Sequence, residues 1–329
     1  MAQRTDKKTA AKKAGSKKAA VKKTAAKKST AKKAAVKKSA KKASAKSKKN
    51  ISGYGLGGVD VVMSVDQVAK EAASISASAP KIGELEKLAD NNSFLSINNL
   101  RAGYGKMEIL HDFSLRIAQG QSLCLIGPNG AGKSTVLHSI FGFTNIFSGS
   151  IMVGDKDVTA LTPSQKLSDA GIAYILQDKS VFPQMTVEEN LLMGGFLKDK
   201  PAEAKAAAEM VFDKYSRLAE RRNKPAGVLS GGERRLLEIS RALVMQPQVL
   251  LVDEPSIGLE PRFIDMVFEI LEDLQRKDGK TIIMVEQNAK KGLAFADIGY
   301  VLVSGETAIA DEGNKLLENP DVGRLFLGG

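Results

Sequence analysis

The chain has 329 residues with one cysteine and two histidines, a length that suits two or three domains and a composition that excludes an internal disulfide framework and a His/Cys structural zinc site. Its net charge of +12 is local: residues 1–49 hold 19 Lys and Arg4 against Asp6, a balance of +19, so the remaining 280 residues carry −7. Apolar runs such as Val249–Val252 and Ile282–Val285 are strand-sized, and no apolar leader segment follows the basic start; the sequence reads as that of an intracellular protein in a reducing compartment, with no membrane span of its own.

The first segment repeats a Lys-Lys doublet every five residues, at 7, 12, 17, 22, 27, 32 and 37. That spacing turns successive doublets by about 140° around a 3.6-residue helix, so no apolar stripe forms and like charges repel. A disordered, extended arm is predicted. It resembles the lysine- and alanine-rich tails of linker-histone-like proteins, which implies DNA, RNA, polyphosphate or an anionic surface as partner. A solubilising extension fits the same composition.

Residues 50–92 mix Gly, Ser and Ala, with a short helix predicted over Val59–Ala73 and a polar turn at Asp90–Ser93, and read as a linker. From Phe94 onward strand-like runs alternate with helical ones: Leu95–Leu100, Ser122–Ile126, Ile172–Leu176, Val249–Val252, Thr281–Val285 and Gly299–Val303. This is the texture of an α/β sheet core. Between Gln177 and Val228 the strand pattern stops, and Glu188–Phe196 and Ala202–Glu220 read as helices of an inserted subdomain.

Gly127-Pro128-Asn129-Gly130-Ala131-Gly132-Lys133-Ser134-Thr135 follows the strand Leu123–Ile126 and opens the helical run Val136–Phe141. The pattern G-x-x-x-x-G-K-[ST] in a strand, loop and helix setting predicts a phosphate-binding loop. Its glycines let backbone N–H groups close around phosphate oxygens, the helix N-terminus adds partial positive charge, and the Lys133 ammonium reaches the terminal phosphates. Ser134 offers a hydroxyl to Mg²⁺. Further on, Val249-Leu250-Leu251-Val252-Asp253-Glu254-Pro255 is a buried-strand run ending in two carboxylates. Side chains alternate along a strand, so the two should point differently. Asp253 suits a Mg²⁺ shell, and Glu254 the orientation and deprotonation of an attacking water.

Leu229-Ser230-Gly231-Gly232-Glu233 precedes the helical run Arg234–Met245. Ser230 and Glu233 form a capping box by spacing. Two glycines cost a helix about 1 kcal/mol each, so they are read as permitting close backbone approach at a second anion-binding helix end.

Taken in order, GPNGAGKST, Gln177 after the strand Ala173–Leu176, LSGGE and LLVDEP resemble the nucleotide-binding subunit of an ABC transporter over about Phe94–Gly329. The resemblance implies an α/β P-loop ATPase with a RecA-like core, an antiparallel β edge and a helical subdomain at about 178–240. It also implies ATP and Mg²⁺ as cofactors, and a homodimer or heterodimer with a related ATPase in which the Ser230 loop of one chain closes over ATP held by the Lys133 loop of the other. A separate membrane permease and a peripheral position on the inner face of the cell membrane follow from the same likeness. Tyr104 falls where the family stacks an aromatic on adenine, and Gln177 where a loop touches Mg²⁺ or water and senses the permease. In Val285-Glu286-Gln287-Asn288-Ala289 the position of the family's switch His is taken by Gln287, which can hydrogen-bond a γ-phosphate but carries no titrating charge. In Ser256-Ile257-Gly258-Leu259-Glu260 the frequent Asp is Glu260. These departures, with residues 220–223 and the ending from Asn319, resemble the smaller ATPase of branched-chain amino-acid and urea uptake systems. SGGERR also resembles the lipopolysaccharide-export ATPase. A soluble ABC-type ATPase tethered to nucleic acid by its arm is the reading from another class.

Of the remaining residues, Cys124 reads as a small buried hydrophobe. Met185, Met193 and Met210 read as core of the helical insertion, or, where exposed, as a groove for a coupling helix of a membrane partner. Arg234 and Arg235 read as a solvated helix face.

Overall fold

The structure is a computed structural model that describes residues 80–177 and 180–327. The Lys-rich arm and the helix predicted over 59–73 lie outside the described residues.

Two sheets enclose the phosphate-loop helix. The first is antiparallel. Strands β1 (Ser93–Tyr104) and β2 (Met107–Ala118) form a long hairpin, and β4 (Asn145–Val153) and β5 (Lys156–Asp157) extend it in the order β2-β1-β4-β5. The second sheet contains β3 (Ser122–Ile126), β6 (Ile172–Ile175), β7 (Val249–Asp253), β8 (Thr281–Val285), β9 (Ile298–Val303) and β10 (Glu306–Glu312), in the order β10-β9-β3-β8-β7-β6. Its strands run parallel except for β10, which is antiparallel to β9. Every residue of β3, β7 and β8 is buried, as a parallel sheet covered on both faces requires.

Helix α2 (Lys133–Phe141) follows β3, and its Val136, Leu137 and Ile140 share one apolar core with Leu95 and Ile97 of β1, Leu115 and Ile117 of β2, and Leu251 and Ile283 of the parallel sheet. The phosphate-loop helix is therefore gripped from both sides by side chains that cannot leave without exposing the core. Helices α4 (Val187–Gly194), α5 (Pro201–Lys214), α6 (Ser216–Glu220) and the start of α7 (Gly231–Leu243) build a second core around Leu191, Val211, Phe212, Leu218 and Leu237. The other face of α7, through Ile239, joins α8 (Pro261–Arg276) on the outer side of the parallel sheet.

Strands β2, β4 and β10 and the full length of β1 escape the sequence reading. Bulges explain the hairpin: the β1/β2 register shifts between Ile97 and Leu100, with Asn99 at φ +45° and Asp112 at φ +47°, which breaks the period-2 alternation on which strand prediction rests. The stretch read as the end of a linker contains helix α1 (Ile82–Leu88), whose Leu85 is buried in the main core and whose Glu86 pairs with buried Arg116 of β2. Two apolar side chains, Leu85 and the partly buried Leu88, and one ion pair fasten a seven-residue helix that has no intrinsic stability at that length.

Candidate functional site

The loop between β3 and α2 needs glycine where the chain turns back on itself. Gly127 has φ +144°, and a Cβ there would lie 2.2 Å from the Leu302 carbonyl oxygen; Gly132, at φ +99°, is the N-cap of α2. Lys133 Nζ donates to the carbonyls of Gly127 at 2.9 Å and Pro128 at 3.0 Å, so the ammonium is curled over the loop that its own backbone forms. Burial holds its pKa below the ordinary lysine value, against the pull of Glu254 and Asp253. Asn129, Gly130, Gly132, Lys133, Ser134, Thr135, Ile109 and Glu254 line a cleft of about 270 Å³. Ala131 is buried in the core beneath it.

At the end of β7 the two carboxylates diverge as predicted. Asp253 is buried; Ser134 Oγ donates to its Oδ1 at 3.2 Å and the Tyr174 phenol to its Oδ2 at 2.9 Å. Glu254 leaves the strand at φ +42°, a conformation that is sparsely populated for a residue with a Cβ, and its Oε2 accepts from Gln177 Nε2 at 2.7 Å. Burial and the neighbouring Asp253 charge raise the Glu254 pKa, while Lys133 pulls it back. A hydroxyl and a carboxylate on one side, an ammonium and loop amides on another, and a second carboxylate above them form a donor set suited to a triphosphate with a hard divalent cation. No group of three His, Cys, Asp or Glu that could hold a metal occurs among the described residues.

Tyr104, at the end of β1, is 42% exposed, and its hydroxyl lies 2.5 Å from His138 Nδ1 on α2. His138 also stacks near Phe143 and Tyr174. The resulting aromatic group runs from the exposed Tyr104 to the Asp253 carboxylate. His138 and Tyr174 carry no motif, and only the packing of α2 against β6 reveals them.

The remaining predicted residues stand apart from this cleft. Ser230 caps α7, with Glu233 N donating to Ser230 Oγ at 3.3 Å and Ser230 N to Glu233 Oε2 at 2.9 Å. Neither they nor Gly231, Gly232 and Gln287 line the cleft. Gln287 is exposed, one residue beyond buried Glu286, and Glu260 is exposed with Arg262 at 3.0 Å. The two glycines of the Ser230–Glu233 turn, the signature turn, differ: a Cβ on Gly231 would make ordinary contact with Leu259 at 3.7 Å, whereas one on Gly232 would lie 2.3 Å from the Phe263 ring. Gly232 is therefore required by packing inside this chain, in addition to any ligand.

A profile of the ABC transporter family matches residues 110–257, from β2 through the turn after Glu254. The high-affinity branched-chain amino acid transport ATP-binding protein BraG of Pseudomonas aeruginosa is 43% identical over 235 residues, which is 71% of this chain and 100% of that protein. The chain belongs to the ABC transporter ATPases. The lipopolysaccharide export system ATP-binding protein LptB of Acidithiobacillus ferridurans is 31% identical over 238 residues, covering 72% of this chain and 98% of that protein. Among solved structures, the ADP conformation of MJ1267, an ATP-binding cassette of an ABC transporter, superposes with a TM-score of 0.64 at 28% identity, covering 72% of this chain and 99% of that one. The fold is thus the ABC ATPase fold, that of a family which hydrolyses ATP.

Two sequence expectations change in this ATPase, and one holds. Arg235 is not on a solvated face: it is 4% exposed, pairs with Glu238 at 2.9 Å and donates to the Leu176 carbonyl at 2.8 Å, which ties α7 to the residue before Gln177. Met193 and Met210 are not core; they are 42% and 60% exposed, and Met185 is half-buried. Met193 borders a groove with Phe182, Phe196, Leu167 and Tyr174 between the two subdomain cores, and Phe196 is 79% exposed. Cys124 is fully buried, as expected, and burial pushes its thiol pKa up, so it is an inert packing residue.

Proposed function

We propose that this ATPase powers a separate membrane permease of the branched-chain amino-acid class, working as a head-to-tail dimer at the inner face of the membrane. In this reading the loop from Gly127 to Thr135 holds the phosphates, and Lys133 leaves its carbonyl partners for the terminal ones. Ser134 and Asp253 hold Mg²⁺, with Gln177 at its edge; the ion supplies neutralisation of phosphate charge. Glu254 orients the attacking water and accepts its proton. Gln287 hydrogen-bonds the γ-phosphate as a neutral donor. Tyr104 turns from His138 to stack on adenine. Ser230, Gly231, Gly232 and Glu233 close over the nucleotide of the second protomer, which accounts for a signature turn that lies outside its own chain's cleft. Tighter binding of ATP than of ADP to the closed dimer drives the cycle.

The observation that carries the choice of permease is the higher identity, over its whole length, to the branched-chain relative than to the lipopolysaccharide-export one, in agreement with the VEQNA and SIGLEP segments. The groove of Phe182, Met193 and Phe196 supplies an exposed apolar face of the kind an amphipathic helix of a permease fills. No helix among the described residues is long and apolar enough to cross a membrane, which leaves translocation to a partner.

Reconstitution with a branched-chain permease in proteoliposomes is the test. ATP-dependent leucine uptake and stimulation of ATPase by the permease are expected. An ATPase rate indifferent to the permease, with RNA or DNA co-purifying through residues 1–49, would favour the tethered soluble ATPase instead.

A further inference from the structure

Glu286 is 2% exposed and has no part in the reaction as assigned above. A buried carboxylate is costly unless donors surround it. Here Ser256 Oγ donates to Oε1 at 2.6 Å, Asn288 N donates to the same oxygen at 2.9 Å, and Ser256 N reaches Oε2 at 3.4 Å. Ser256 is itself buried. The side chain is also walled in: a Cβ on Gly292, in helix α9 (Ala289–Phe295), would lie 3.0 Å from Glu286 Cβ and 2.6 Å from Cys124 Sγ. Only a glycine there lets the helix lie so close to this carboxylate.

The donors belong to two turns. Ser256 lies two residues past Glu254, and Asn288 one residue past Gln287. A second rung joins the same turns through the backbone, where Glu254 N donates to the Val285 carbonyl at 2.9 Å. Glu254 and Gln287 thus sit on segments fastened together at two points, one of them the buried Glu286 side chain.

We infer that Glu286 is a positioning residue for ATP hydrolysis, which locks the turn after β7 to the turn after β8 so that Glu254 and Gln287 approach the terminal phosphate as one unit. The inference rests on the assignment of Glu254 and Gln287 to hydrolysis. Its physical need is plain in this chain: Gln287 is neutral and exposed, so no ionic attraction to the neighbouring carboxylates orients it, and its placement falls to the turn that carries it.

Ser256→Ala and Glu286→Gln, alone and together, test it in the full chain. Each single variant is expected to lower kcat about tenfold or more, with KM for ATP unchanged, and the double variant to be no slower than the worse single one, because both remove one fastening. Ser256→Thr keeps the hydroxyl and should keep kcat. Without nucleotide, amide exchange at Asn288 should rise about tenfold in Ser256→Ala, where the carboxylate loses its anchor. That measurement needs no turnover. Wild-type kcat in both singles, a change confined to KM, losses that multiply independently in the double, or unaltered Asn288 exchange would each overturn the inference. Glu254→Gln separates the two claims. If it abolishes turnover while Ser256→Ala and Glu286→Gln do not slow it, the fastening fails alone. If it leaves turnover intact, the assignment of Glu254 fails.

Discussion

Gln177 Nε2 donates to Glu254 Oε2 at 2.7 Å across 77 residues of sequence. The bond joins the loop that leads into the helical subdomain to the carboxylate beside the phosphate loop. Glu254→Gln preserves an acceptor for Gln177 and removes the base. Nucleotide affinity should stay at the wild-type level while steady-state turnover falls by about 10²–10⁴. Unchanged turnover would strip Glu254 of that role.

Asp253 has a hydroxyl on each oxygen, Ser134 on one and Tyr174 on the other. The phenol fixes the plane of a carboxylate assigned to Mg²⁺, and loss of such an outer partner typically weakens metal affinity 10–100-fold. In Tyr174→Phe the Mg²⁺ concentration that half-saturates nucleotide binding should rise by about that factor, with binding in EDTA unaffected. A fluorescent-nucleotide titration over Mg²⁺ decides it, and an unshifted curve refutes it.

The two signature glycines should separate by experiment. Gly232→Ala places a methyl against Phe263 and is expected to destabilise by about 1–3 kcal/mol, most of which Phe263→Ala in the same chain should restore. Gly231→Ala, with room beside Leu259, should leave the denaturation midpoint near wild type and weaken ATP-driven dimer formation. Equal destabilisation by both would contradict the packing difference.

Lys166, in helix α3 (Pro163–Ser168), is fully buried, and its Nζ donates to the carbonyls of Ser139 at 3.2 Å and Ile140 at 2.7 Å at the C-terminal end of α2. Burial lowers its pKa from 10.5 to about 8, with Asp157 opposing. Between about 8 and 10.5 the unfolded chain therefore binds more protons at this site than the native one, and stability at this site rises with pH across that window. A neutral amine still carries two N–H groups for the two carbonyls. Lys166→Met should flatten the difference in unfolding free energy over this range and cost about 1–3 kcal/mol for the orphaned carbonyls. A Lys166→Met stability curve parallel to wild type from pH 8 to 10.5 would rule out this titration.

If the Lys-rich arm is a polyanion-binding segment and not a solubilising extension, deleting residues 1–49 should leave kcat for ATP intact and remove binding to DNA, RNA or polyphosphate. If about ten lysines neutralise phosphates, the affinity of the full chain falls with a log-log salt slope near −9. A salt-insensitive affinity would exclude that electrostatic mode.

Local chemistry was enough to announce the phosphate loop, the carboxylate pair and the capped signature turn, because each is a run of adjacent residues whose glycines, lysine or acids have no other economical use. The buried strands β3, β7 and β8 were legible for the same reason: uninterrupted apolar runs of four, such as Val249–Val252 and Ile282–Val285, have one home. Tertiary structure alone decided which groups meet. Tyr174 and His138 join Asp253 through helix packing, Arg235 leaves the solvent for Leu176, Glu286 bridges two distant turns, and bulges conceal β2 and the full length of β1 from a periodic reading. Each of these is a contact between segments far apart in sequence, and spacing along the chain contains no information about distances that only the packing of sheets around α2 creates.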